Sequence, residues 1–103
     1  MTMRQISTPL HPSIPGCQAG HHPQWVETHG APVRLHTRLG TPVPVMFHIQ
    51  CARCGVATRP THLRSLVENR WTDPAGLHRV PLSLIGRARE EAMAALTTAA
   101  RAA

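Results

Sequence analysis

The sequence contains no lysine and no tyrosine, and its only aromatic residues are Trp25, Phe47 and Trp71. With so few large rings, hydrophobic burial alone leaves little margin over the conformational entropy of a 103-residue chain, so a further staple is expected. No run approaches the roughly 18 to 20 apolar residues that a membrane span requires. The first residues also lack the apolar stretch of a secretory signal, so the sequence reads as cytoplasmic. There are only three cysteines, an odd number, beside eight histidines. That balance argues against a secreted disulfide framework and toward metal binding in a reducing compartment.

Acidic residues are missing from the whole of residues 28–67, a stretch that holds Arg34, Arg38, Arg53, Arg59 and Arg64. Within a net charge of +6, these five predict a basic stripe on the folded core. Using arginine throughout is what a GC-rich genome produces, and the choice alone decides nothing. Guanidinium forks match carboxylate and phosphate alike, so the stripe fits an acidic protein as well as nucleic acid.

The length suits one small domain with tails. Pro9, Pro12 and Pro15 exclude a helix or a central strand from residues 1–15, which read as an extended or disordered arm. "QWVET" (24–28) is a short strand candidate. "VRLHT" (33–37) alternates apolar and polar residues in the period of a strand with one wet face. Residues 43–50 alternate again, with Val43, Val45, Phe47 and Ile49 on one face and Met46 and His48 on the other. Pro42 and Pro44 confine the start of this strand to a sheet edge or bulge. "GVATRP" offers one more strand, and Thr61 is the expected N-cap of a helix. That helix would cover the sheet with Leu63, Leu66, Val67 and Trp71, and Arg64 and Glu68 would pair along it at i, i+4.

Residues 73–83 read as a linker, and 84–103 as an alanine-rich helix. Its thin stripe of Leu82, Ile85, Ala92, Leu96 and Ala99 would pack lightly on the domain or meet a second copy in a homodimer. The predicted architecture is a small α+β domain: an antiparallel meander covered by a short helix, with a C-terminal helix added.

The chemistry concentrates in "FHIQCARCGVAT", where a strand runs into Cys51-x-x-Cys54-Gly. That is the shape of a zinc knuckle, a tight turn aiming two thiolates at one ion, with Gly55 relieving the backbone. A structural zinc takes four ligands, and the remaining cysteine is Cys17 in "GCQAGHHP". Gly20 stands where a second knuckle would have its second thiol. The longer imidazole of His21, one residue on, can replace that thiol, with His22 as the substitute. The predicted ligands are Cys17, His21, Cys51 and Cys54. A metal-free domain with ordinary thiols and cysteine redox or nucleophilic chemistry remain as rivals. The redox reading lacks the helix that a thioredoxin-like motif opens, and the nucleophilic one lacks a base and oxyanion donors. His29, His36, His48, His62 and His78 read as surface or turn residues, Trp25 and Trp71 as core covers, and Met46 as a gap filler or edge residue.

"GCQAGH", "QWVET", "FHIQCARCG" and "THLRSLVENRW" follow one another as the parts of restriction-alleviation (Lar-type) zinc-ribbon proteins do, and residues 16–72 resemble that family. In this sequence His21 stands in for the second cysteine of the first knuckle, and the C-terminal helix is additional. The resemblance implies a zinc-ribbon core over 16–72, a structural Zn²⁺ and no catalysis. It further implies a phage or prophage protein acting in the host cytoplasm on a host defence protein, with anti-restriction as its effect. The alternative is a nucleic-acid binder in which Arg34, Arg38, Arg53, Arg59 and Arg64 contact phosphates.

Overall fold

The sheet is organised around its most buried strand, β3 (Met46–Cys51), in which only Gln50 escapes full burial. The computed structural model describes residues 4–30 and 44–102, with side chains through Leu96. Before β3 come β1 (Arg4–Pro9) and β2 (Gln24–His29), and after it β4 (Val56–Thr58) and β5 (Arg79–Pro81). The strands lie in the order β1-β2-β3-β4-β5, every pair antiparallel, so the sheet is a meander. Helix α1 (Arg64–Thr72) lies between β4 and β5 in the chain, and a 3₁₀ turn (Leu82–Leu84) leads into α2 (Ile85–Ala102). The domain is therefore the small α+β fold expected, with five strands among the described residues. Residues 33–37, where a further strand is predicted, lie outside the described residues, as do Arg34 and Arg38.

Both faces of β3 are covered, because cross-strand partners share a face. On one face Phe47, Ile49 and Cys51 form a core with Val67 and Trp71 of α1, and Trp25, Val56, Leu10 and Ile14 pack around it. On the other, His48 pairs with Val26 and Met46 with Thr28, all four fully buried. Ala57 and Val80 continue this face across β4 and β5. Arg89 and Met93, the buried residues of α2 among those whose side chains are described, close it. Burying a side chain such as Ile49 or Val67 contributes about 1.5 to 3 kcal/mol.

Several details differ from the sequence-based expectation. Helix α1 begins at Arg64 with Leu63 as N-cap, and no side chain caps it. Thr61 cannot play that part because its backbone is engaged with β3: Phe47 N donates to Thr61 O (2.8 Å) and Thr61 N to Phe47 O (3.0 Å). Leu63 is left exposed, so the covering stripe is carried by Leu66, Val67 and Trp71. Arg64 reaches across to Glu27 of β2 at 2.7 Å instead of to Glu68.

His48, expected at the surface, is fully buried. Within the predicted linker, β5 pairs with β4 and buries Val80. The arm contributes an edge strand, β1, exposed at every residue and held by its backbone pairing and by Gln5 Nε2 donating to Thr28 Oγ1 (3.3 Å). Among the described residues, no helix is long and apolar enough to cross a membrane.

Candidate metal centre

β3 delivers Cys51 to the edge of the core, where its side chain is buried. The chain then turns sharply. Gly55 N donates to Cys51 O (2.9 Å), and Cys54 N points at Cys51 Sγ (3.5 Å). Gly55 sits at φ +70°, a left-handed conformation that glycine adopts without penalty. Leu82 N donates to Gly55 O (2.8 Å), which ties the turn to the approach of α2. The second bend spans residues 17–21, closed by His21 N donating to Gln18 O (3.1 Å), with Gly20 at φ +82°. Trp71 Nε1 donates to Pro15 O at 2.8 Å and so anchors this bend to α1.

The two bends bring four donor atoms together. Cys17 Sγ lies 3.5 Å from Cys51 Sγ, and His21 Nδ1 lies 3.4, 3.6 and 3.2 Å from the sulfurs of Cys17, Cys51 and Cys54. All four atoms fall within 4.8 Å of one another. A tetrahedral zinc site, with Zn–S near 2.3 Å and Zn–N near 2.0 Å, has edges of about 3.8 Å between sulfurs and about 3.5 Å between sulfur and nitrogen. The donors therefore already stand near the corners of such a tetrahedron. The thiols are free, and 3.5 Å is far too long for a disulfide. His21 presents Nδ1 to the sulfurs, so that nitrogen would be the one to ligate a metal, with the proton on Nε2. His22 is exposed and lies outside the cluster.

The electrostatics fit a cation. Burial pushes the Cys51 thiol up, but hydrogen bonds from the Cys54 amide and from the Cys17 and Cys54 side chains outweigh it and bring Cys51 down to about 6. Cys54 moves the other way, to about 11, through its hydrogen bond with Cys17, then burial, then its contact with Cys51. One thiolate forms easily and makes the next harder to form, an imbalance that a dication removes by taking all three sulfurs as thiolates.

The arginines of the predicted stripe have different fates. Arg53 is exposed in the knuckle turn itself. Arg64 is ion-paired to Glu27 and lies over the rings of Phe47 (4.6 Å) and Trp25 (6.0 Å). Arg59 is exposed beside Arg70, whose guanidinium donates to the carbonyls of Arg59 (2.9 Å) and Pro60 (3.4 Å). Arg70 was not among the predicted residues, and its position in the last turn of α1 is the one sequence signal that marks it. Nor was the pairing of buried His48 with half-buried Gln50 (Nε2 to Oε1, 2.8 Å) foreseen.

No family model matches the chain, and no curated protein or solved structure matches it.

Proposed function

We propose that the chain is a non-catalytic zinc-ribbon-like protein of phage or prophage origin that docks on an acidic host defence protein and relieves restriction. Its metal is a structural zinc held by Cys17, His21, Cys51 and Cys54. The observation that carries this reading is the convergence of one imidazole and three thiols from two separate bends. Sulfur and imidazole donors in a tetrahedron suit zinc. Four protein ligands complete that tetrahedron, whereas a catalytic zinc keeps a position open for water. The metal then acts by holding the arm, β3 and α1 in register, with an apparent binding energy of the order of 10 kcal/mol. The host-defence part of the reading rests on the resemblance of residues 16–72 to Lar-type proteins.

Purified protein is expected to carry one zinc per chain, and chelation to abolish its cooperative thermal transition. A protein that melts unchanged after metal removal would overturn the structural role. Expression in a restriction-proficient host should raise the plating efficiency of unmodified phage, and no rise would overturn the anti-restriction role.

The net charge of +6 favours nucleic acid as a second reading. Duplex binding by an arginine stripe loses affinity with salt at a slope of about −0.9 per phosphate contacted. Because Glu27 already neutralises Arg64, the described part of the stripe offers Arg53 and Arg59 alone. Absence of a gel shift at low salt would dispose of it.

A further inference from the structure

A groove of about 540 Å³ runs between the segment entering α1 and the flank of α2. Met46 lines it, with Leu63, Leu66 and Leu77 on one side and Ala92 and Leu96 on the other. Of the four large hydrophobic residues exposed among the described ones, two open into this groove: Leu63 at 45% and Leu77 at 75%. Apolar surface gathered in a concave site, instead of scattered singly, marks a place where something binds.

The rim is cationic. Arg59 and Arg70 both border the groove, and among the described residues neither has a carboxylate partner. Burial and the nearby charge of Arg59 together lower the Arg70 pKa, as expected of two cations held side by side. His62 and His78 stand on the same rim. The carboxylate in the lining, Glu91, is turned to Arg87 at 3.5 Å.

The charge narrows the choice of occupant. A second copy of a chain with net charge +6 would set cation against cation, and so would the chain's own residues 31–43, which carry Arg34 and Arg38 without an acid. A nucleic-acid backbone would satisfy the arginines and leave the leucines wet. An amphipathic helix with leucine-like residues on one face and carboxylates along its flanks satisfies both. We propose that the groove between α1 and α2 binds an acidic amphipathic helix of a partner protein, Leu63 and Leu77 taking its apolar face and Arg59 and Arg70 its carboxylates. This rests on the protein-binding reading above, to which it assigns a surface, and it does not depend on the identity of the metal.

The test uses the full chain and a fluorescent helical peptide with leucines at i, i+3, i+4 and i+7 flanked by glutamates, beside a control in which lysines replace the glutamates. Anisotropy should show the glutamate peptide binding at least about tenfold more tightly than the lysine peptide. Leu63→Ser with Leu77→Ser should weaken it about tenfold or more while leaving the melting temperature unchanged, since both side chains are already exposed. Arg59→Glu with Arg70→Glu should invert the preference between the peptides. Equal binding of the two peptides, or indifference to the leucine pair, overturns the proposal. So does self-association of the free chain that the leucine variants abolish, or displacement of the peptide by duplex DNA. An acidic protein that binds the chain but ignores the leucine variants removes the groove and leaves protein binding standing. Salt-sensitive duplex binding with no affinity for any acidic protein removes both.

Discussion

The sulfurs of Cys17 and Cys51 lie 3.5 Å apart although 34 residues separate them in the chain. Between them run β2 and most of β3, so the contact closes a loop around part of the sheet, and nothing covalent holds it. Three thiols packed this tightly cannot all ionise without a cation beside them, so under the structural-zinc proposal folding would couple to metal binding.

The first prediction separates His21 from its neighbour. His21→Ala should lower zinc affinity at least about tenfold in competition with a chromophoric chelator, because it opens one corner of the tetrahedron. His22→Ala should leave the affinity unchanged, and His21→Cys should retain zinc. Equal losses for the two alanine variants would mean that either imidazole serves.

A second prediction concerns the knuckle backbone. No atom lies within 4 Å of where a Cβ on Gly55 would stand, so Gly55→Ala clashes with nothing and pays only for φ +70°. That conformation costs an alanine about 1 to 2 kcal/mol, measurable in urea melts of the zinc-loaded protein. Gly55→Asn should lose less, since asparagine tolerates the left-handed region better. A neutral alanine variant would show that the turn relaxes.

How much of this was legible beforehand follows from where each feature is encoded. The cysteine spacing and the meander were readable because both are local: Cys51-x-x-Cys54-Gly55 is a turn written in sequence, and the segment that becomes β3 alternates. His21 was readable from the reach of an imidazole. β5 was not, because "RVP" is three residues long, ends in proline and becomes a strand only through its pairing with β4. Thr61 looks like an N-cap until Phe47 takes its backbone. Arg89 and Met93, which α2 buries, lie on the same face as Ile85, Ala92 and Leu96, at i+4 and i+8 from Ile85, but a charged residue such as Arg89 does not read as inward-facing in a sequence. His48 read as wet because the helix that buries it lies nearly forty residues later in the chain.

Trp71 carries a third prediction, since it links α1 to the first ligand bend. Its ring is 2% exposed, its Nε1 donates to Pro15 O, and Arg79 stacks on it with the guanidinium 4.9 Å from the ring centre. Trp71→Phe keeps most of the burial and drops the hydrogen bond, so it should lose about 1 kcal/mol. Trp71→Ala should lose about 3 to 5 kcal/mol and release the bend that holds Cys17, weakening zinc binding as well. If Trp71→Phe matched the wild type in both stability and zinc affinity, the anchor to Pro15 would carry no energy.

The last prediction is a pH dependence. Burial lowers the pKa of His48 from 6.5 to about 4; the hydrogen bond with Gln50 opposes this, and the charge of Arg89 reinforces it. In the unfolded chain the same imidazole protonates near 6.5, so between pH 6.5 and 4 the unfolded state binds a proton that the folded state refuses. Stability from this residue is complete above pH 6.5 and falls as the pH drops toward 4, by up to about 3 kcal/mol in all. Acid also protonates the thiolates and loosens zinc, so the total slope in this window exceeds the histidine's share. Comparison with His48→Gln isolates that share: chemical denaturation at fixed excess zinc should give the variant a shallower fall from pH 6.5 to 4. If the two proteins lose stability in parallel, protonation of His48 is not what acid acts on, and the zinc ligands alone account for the acid lability.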